Sequence, residues 1–323
     1  MIARYAIPFF IFMSLVIVPA VLALLCRWLV PRRLWHRTVV VCTIIIWTLA
    51  AYGFLCGFQQ FRVRRVEYAS ADLPACFDGY RIVQFSDAHV GTLTGSRQWM
   101  VQRAVDSINA QRPDAIVFTG DMQNVYPDEL LPQAPYFRQL KAPDGVFAVL
   151  GNHDYAVYQD VHPVHKERNC RRTVKSIRQM GFDLLLNEHR VIRRDSDSIV
   201  VAGMENWGTV KRMPREGDVR KTLEGVTGSA FVVMLQHDPT AWRAKILPEC
   251  RAQLTLSGHT HGGQFSFWGW SPAALAYDEW GGKYHEGDRA LCVSTGLGGL
   301  IPFRLNLPGE IVVITLKSKK KIK

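Results

Sequence analysis

Ser257-Gly258-His259-Thr260-His261-Gly262-Gly263-Gln264 follows the apolar run 254–256 and sets two imidazoles on one short loop with glycine on both flanks. Four further stretches share its setting, each just after a hydrophobic, β-branched run: Ser86-Asp87-Ala88-His89, Gly120-Asp121, Gly151-Asn152-His153-Asp154 and Gln236-His237-Asp238. Runs of this kind read as strands. If they are strands of one sheet, their ends gather carboxylates, an amide and imidazoles in one cleft, a setting for metal ions and phosphate. Taken singly each stretch is ordinary, because an Asp at a strand end is most often a turn former or a helix cap. All five in this order are hard to produce by chance. The glycines before Asp121 and Asn152 remove side-chain bulk where a loop must bend tightly near a cleft.

Outward from these loops, strands and helices alternate. Strands are predicted at 81–86, 115–119, 146–150, 199–203, 231–235, 254–256, 290–294 and 310–316. A helix over 96–111 carries the stripe Met100, Ala104, Val105 and Ile108 and stops at Pro113, and others are predicted at 128–140, interrupted by Pro132 and Pro135, and at 171–180. Alternation implies crossover connections, a largely parallel arrangement early and antiparallel strands late. No repeat or low-complexity linker divides this stretch.

The front of the chain differs. Nearly every residue from Ala6 to Val30 is apolar, and 38–58 contains no charged residue. Each run exceeds the roughly 18 apolar residues that suggest a bilayer span, so two transmembrane helices are expected. A secretion signal is the rival for the first run, since Arg4 precedes an apolar core, but that run is long and a second span follows it. Arg27, Arg32, Arg33 and Arg37 fall in the hairpin while Arg4, Arg62, Arg64 and Arg65 flank it, so the side of the membrane taken by the rest of the chain stays open. The expected division is a membrane anchor over 1–60, a connector over 61–76, a catalytic-size domain over 77–316 and a basic tail over 317–323.

The formal net charge of +11 suits an anionic surface or substrate, with membrane lipids as partners of the tail and no nucleic acid expected, because no compact basic and aromatic motif is present. Seven cysteines are dispersed without CxxC spacing and define neither a disulfide framework nor a redox compartment.

Asp87-x-His89, Gly120-Asp121, Gly151-Asn152-His153-Asp154, His237 and Gly258-His259-x-His261 together resemble the calcineurin-like metallophosphoesterase family, from about Tyr80 to the C-terminus. Ser294-Thr295-Gly296-Leu297-Gly298, Pro302-Phe303-Arg304 and Pro308-Gly309-Glu310-Ile311 are similar to a bacterial subgroup with N-terminal membrane or export segments. That subgroup includes phosphodiesterases and hydrolases of UDP-diacylglucosamine, a lipid A precursor. The resemblance implies an α/β fold, a β-sandwich flanked by helices (αββα), here preceded by the two transmembrane helices, and location in a bacterial cytoplasmic membrane. It implies two divalent metal ions, manganese, iron or zinc. Asp87, His89 and His261 would hold one, Asn152, His237 and His259 the other, with Asp121 bridging. It also implies that a hydroxide activated between the ions attacks phosphorus, with His153 as the catalytic histidine.

One residue departs from the family pattern. Many relatives carry an Asp three positions after the bridging Asp, paired with the catalytic histidine, where this chain has Asn124. An amide oxygen can orient an imidazole but stabilises imidazolium less than a carboxylate does. The basic stretch 155–172 reads either as a flap over phosphate or as a solvated surface helix with its connector, and Phe265-Ser266-Phe267-Trp268-Gly269-Trp270 has stacking, acyl contact, core packing and bilayer contact all open to it. The function expected is hydrolysis of a phosphodiester or pyrophosphate bond, with a lipid-linked substrate such as UDP-diacylglucosamine first. The alternatives are a general phosphodiesterase on soluble or cell-wall esters, or a metal-binding membrane scaffold without turnover.

Overall fold

The computed structural model describes residues 13–319. Its centre is a pair of six-stranded sheets. In the first, β2 (Arg81–Phe85), β3 (Ala115–Phe118), β4 (Val146–Ala148) and β5 (Asp183–Leu184) run parallel. β12 (Gly309–Ser318) lies antiparallel beside β2, and β1 (Phe61–Ser70) pairs in parallel along the full length of β12. In the second, β7 (Asp197–Gly203), β8 (Phe231–Leu235), β9 (Leu254–Ser257) and β11 (Arg289–Val293) run parallel, edged by the antiparallel β6 (Glu188–Arg194) and β10 (Gly282–Glu286).

The two-residue period of each strand divides its side chains between two cores. Ile82, Ala115, Val117, Ile199, Val201, Phe231, Val233 and Leu235 point into one cluster between the sheets. Val83, Phe85, Ile116 and Phe118 point outward, where helix α3 (Trp99–Ala110) lays Met100, Val101, Ala104, Val105 and Ile108 on them. Helix α4 (Pro163–Gln179) adds Ile177 to the same layer. On the far side Val200, Ala202, Val232 and Met234 are covered by Val219, Ala241, Trp242 and Ile246. Strands buried on both faces read as continuous apolar runs, which is why the sequence marks them so plainly. Each fully buried Val, Ile, Leu or Phe contributes about 1.5–3 kcal/mol of transfer free energy.

The residues expected as a connector, 61–76, are corrected by the structure: they contain the ten-residue strand β1. Its alternation is masked in sequence by Arg62, Arg64 and Arg65, of which Arg64 turns inward to pair with Glu310 at 2.9 Å. The expected helix over 128–140 is instead a 3-10 stretch, Pro127–Gln133, followed by one α-turn, Ala134–Phe137, because prolines remove the amides a regular helix needs. The helix expected at 171–180 begins a full eight residues earlier, at Pro163. The basic tail is shorter than expected, since β12 runs on to Ser318, and residues 320–323 lie outside the described residues.

The expected pair of membrane spans is met in part. Among the described residues one helix is long and apolar enough to cross a membrane, α2 (Arg32–Leu55), which with the 3-10 turn after it reaches Gln59. Before it α1 (Val18–Leu29) has 12 residues, and the front of that expected span, before Met13, falls outside the described residues.

Register places α2. β12 begins at Gly309 beyond the carboxyl end of β2, where Val312 faces Gln84, and β1 begins at Phe61 opposite Gly309. The foot of α2 therefore sits at the end of the sandwich to which the parallel strands point. Contact there is close: the Arg304 amide donates to the Gly53 carbonyl at 3.1 Å, and a Cβ on Gly57 would overlap the Arg304 carbonyl. Gly57→Ala is expected to destabilise the detergent-purified chain by about 1–3 kcal/mol through overpacking, whereas Gly228→Ala, which meets nothing within 4 Å, leaves the denaturation midpoint unchanged.

Candidate metal centre

Five loops leave the carboxyl ends of β2, β3, β4, β8 and β9 and meet in one place. Asp87, His89, Asp121, Asn152 and His237 are buried, and His259 and His261 are nearly so. His89 Nε2 lies 3.2 Å from His261 Nε2 and 3.6 Å from Asp121 Oδ2, and His261 Nε2 lies 3.4 Å from Asp87 Oδ1. Next to this group, His237 Nε2 is 3.2 Å from the same Asp121 Oδ2, 3.1 Å from Asn152 Oδ1 and 3.2 Å from His259 Nδ1. Donors about 2.1 Å from an ion stand about 3.0 Å apart on an octahedral edge and about 3.4 Å on a tetrahedral one. The observed spacings are of that size. Asp121 Oδ2 faces both groups, so the donor set fits two ions sharing one carboxylate.

Three of the donors, His237, Asn152 and His259, are held from behind by hydrogen bonds. His237 Nδ1 donates to the Thr119 carbonyl at 2.7 Å, which turns Nε2 toward Asp121. Asn152 Nδ2 donates to the Tyr158 hydroxyl at 2.8 Å, turning its amide oxygen inward. The Tyr277 hydroxyl meets His259 Nε2 at 3.0 Å, leaving Nδ1 toward the cluster. Asp154 accepts from the amides of Asp121, Met122, Gln123 and Gly151 at 2.9–3.3 Å and so ties the second loop to the third. Gly258 stands where a Cβ would overlap Ser86 and Asp87. Arg304, buried under the first loop, donates to the carbonyls of Thr295, Gly296 and Gly298 at 2.7–3.0 Å, and the amides of Leu297 and Gly298 in turn hold Ser86 and Asp87. Neither tyrosine has a spacing signal in the sequence, and Asp154 and Arg304 stand within conspicuous motifs that do not by themselves reveal these contacts.

Two costs are built into the centre. Asp87, His89, Asp121, His259 and His261 all have φ between 42° and 74°, the left-handed region that side chains other than glycine rarely adopt. Each such residue costs of order 1–3 kcal/mol, held by the surrounding hydrogen bonds. The second cost is electrostatic. Burial, then the charge of Asp121, pushes the Asp87 carboxyl up to about 6, and burial with neighbouring His153 drives His89 down to about 3. Burial alone would depress His237, but Asp121 and Asp87 outweigh it and raise it to about 10, while His237 and His153 hold Asp121 well below the carboxylate range against its own burial. Divalent cations relieve this crowding by taking the proton's place between carboxylate and imidazole.

His153 sits beside the centre, its ring edge-on to His89 with centroids 4.9 Å apart and tilted over Tyr158 at 4.3 Å. Its Nδ1 meets Asn124 at 2.6 Å, but through the main-chain carbonyl. The expected role of the Asn124 side-chain amide is thereby corrected: its Oδ1 has no hydrogen-bond partner and lies toward Gly91, because the Glu129 carboxylate pins the loop by accepting the amides of Asn124, Val125 and Tyr126. From Pro163 on, the basic stretch 155–172 is surface helix, the start of α4, where Arg171 pairs with Glu167 and Arg172 with Asp128. The aromatic stretch does not pack into the core, since Phe267 and Trp270 are exposed and Trp268 is 91% exposed.

A family model described as calcineurin-like phosphoesterase matches residues 80–263. A transmembrane protein with metallophosphoesterase domain from Danio rerio is 32% identical over 87% of this chain, which spans 63% of that protein's length. The uncharacterized metallophosphoesterase YkuE of Bacillus subtilis is 32% identical over 83% of this chain and 90% of its own. The UDP-2,3-diacylglucosamine pyrophosphatase LpxG of Chlamydia trachomatis is 27% identical over 78% of this chain and 88% of its own.

The backbone strain has a measurable signature. With metal removed by EDTA, His89→Gly is expected to be more stable than His89→Ala by about 1 kcal/mol in denaturant unfolding, the reverse of the usual order, because only glycine sits in the left-handed region without strain; the usual order would mean that the loop is not held there.

Proposed function

Because this chain belongs to the calcineurin-like phosphoesterase family and is a metal-dependent phosphoester hydrolase, we propose that it cleaves a phosphodiester or pyrophosphate bond in a lipid-linked substrate while anchored in a membrane. The observation that carries this reading is the double cluster sharing Asp121, next to a helix of membrane-spanning length.

Asp87, His89, Asp121 and His261 would hold one divalent ion, and Asp121, Asn152, His237 and His259 the other. When bound, such ions supply Lewis acidity toward phosphate oxygens and lower the pKa of water. The remaining work falls to this chain's own groups. Nδ1–H of His153, donated to the Asn124 carbonyl, leaves Nε2 free to take up a proton, and the resulting imidazolium would deliver that proton to the leaving oxygen and return to the neutral ring. Asp154 keeps Asp121 and Asn152 in register by its four amide contacts. Burial of the carboxylates excludes bulk water from the charged centre.

The anchor is proposed as the hairpin of α1 and α2 in a bacterial cytoplasmic membrane. The name of the Chlamydia trachomatis relative supplies the substrate to try first, a UDP-linked diacylglucosamine. Such a substrate is cytoplasmic, so a reporter fused after Lys323 must report the cytoplasmic side if this substrate is right.

Full-length protein loaded with manganese is expected to release UMP from UDP-diacylglucosamine and to cleave bis(p-nitrophenyl) phosphate. Asp121→Ala and His259→Ala should each lower both rates by at least about a thousandfold with loss of bound metal. His153→Ala should lose about 10²–10⁴ in kcat with metal content unchanged. Asn124→Ala should stay within about threefold, since the carbonyl that orients His153 remains. Cleavage of the aryl diester alone would point to a general phosphodiesterase; metal binding without turnover of either compound would count against the proposal.

A further inference from the structure

Between the membrane helices and the loops after the double histidine lies an apolar cavity of about 530 Å³, within the size range of small-molecule sites. One wall is helical, from Val18 of α1 and Ile46, Leu49 and Ala50 of α2; the other comes from loop residues including Phe265, Ile301, Phe303 and Leu305. Neither the core between the sheets nor the helix layers include this space.

Three observations say what fills it. First, the loop wall is continuous with the metal centre. Gly263 and Gln264 lie two and three positions after His261, and the Gln264 side chain donates to the carbonyls of Ile301 and Phe303 at 2.9 and 2.7 Å. On the other flank the Thr92 hydroxyl stands 2.8 Å from both the His89 and the Gly299 carbonyls. Second, the helical wall belongs to the one described helix long and apolar enough to cross a bilayer, whose Val40, Val41, Ile44 and Ile45 are exposed. Its foot is fixed to the catalytic loops by Arg304 and by Phe303, whose ring meets Phe54 edge-on at 5.1 Å. Third, Phe267, Trp268 and Trp270 project from the same loop into solvent, the residue types that settle at a membrane–water boundary.

We propose that this cavity takes an alkyl or acyl chain of the substrate. The substrate class is then an amphiphile resting in the bilayer, its chain between α2 and the Phe265 to Leu305 wall and its phosphoester at the metal centre. This inference rests on the phosphoester hydrolase reading above. Gln264 is the polar step between the two regions: three positions after His261, it holds the Ile301 and Phe303 carbonyls and so closes the wall.

The test uses the full chain in nanodiscs with manganese and a series of p-nitrophenyl alkyl phosphates from ethyl to tetradecyl. Ala50→Trp fills the cavity from the helix side and Ile301→Trp from the loop side. In the native chain kcat/KM is expected to rise at least tenfold from the ethyl to the octyl ester. Both filling variants should lose most of that rise while keeping bis(p-nitrophenyl) phosphate hydrolysis within threefold. Partition of the longer esters into the bilayer acts equally on all three proteins, so a rise that survives in both variants overturns the inference and leaves the hydrolase reading intact. If Ala50→Trp also loses the aryl diester activity, Ile301→Trp decides. A native chain that hydrolyses no diester at all is a failure of the functional reading itself.

Discussion

Asp121 is the residue on which the rest of the centre turns: a buried carboxylate whose Oδ2 lies 3.2 Å from His237 and 3.6 Å from His89, with Oδ1 accepting the His153 amide at 2.8 Å. A charge so placed is tolerable only with positive charge beside it. Protons can supply part of that, at the cost of setting His237 and Asp87 far from their ordinary protonation. Divalent ions held by the imidazoles and the carboxylates would supply it without the mismatch. The surrounding structure is arranged to prevent the alternative, a loop that relaxes and lets water in. Asp154, Arg304 and the Leu297 and Gly298 amides hold main chain that five left-handed residues would otherwise release.

The fold makes that arrangement possible because two sheets, each with four parallel strands, end at the same level. Three loops come from one sheet and two from the other, so the donors approach from opposite walls. The strand pair β1 and β12 extends the first sheet while running the other way from β2. Its starting end is therefore the metal end, and a helix leading into β1 has to stand there. The long apolar helix and the candidate metal centre are neighbours by topology, before any side chain is considered.

Much of the centre was legible in the sequence because its donors follow strands that are buried on both faces and so read as unbroken apolar runs. Asp87, His89, Asp121, Asn152, His237, His259 and His261 meet as the family resemblance implied. The sandwich was not legible from pattern, since local periodicity carries no information about which sheet a strand joins. Three residues show where reading stopped. Arg64 sits at an inward position of β1 and hid the strand behind its charge until Glu310, 246 positions away, accounted for it. Asn124 was judged by its side chain, whereas the contact to His153 comes from a carbonyl that every residue has. Tyr158 and Tyr277 lie in irregular loops without any motif, and only the folded chain brings them onto Asn152 and His259.

The account stands most directly on whether Asp121 lies between two ions. Anomalous diffraction from crystals of the full chain grown with manganese measures this without reference to any substrate. The account predicts two peaks per chain, roughly 3.5–4 Å apart, one bordered by Asp87, His89 and His261 and the other by Asn152, His237 and His259, with Asp121 reaching both. A single peak, or two that do not share Asp121, would contradict it.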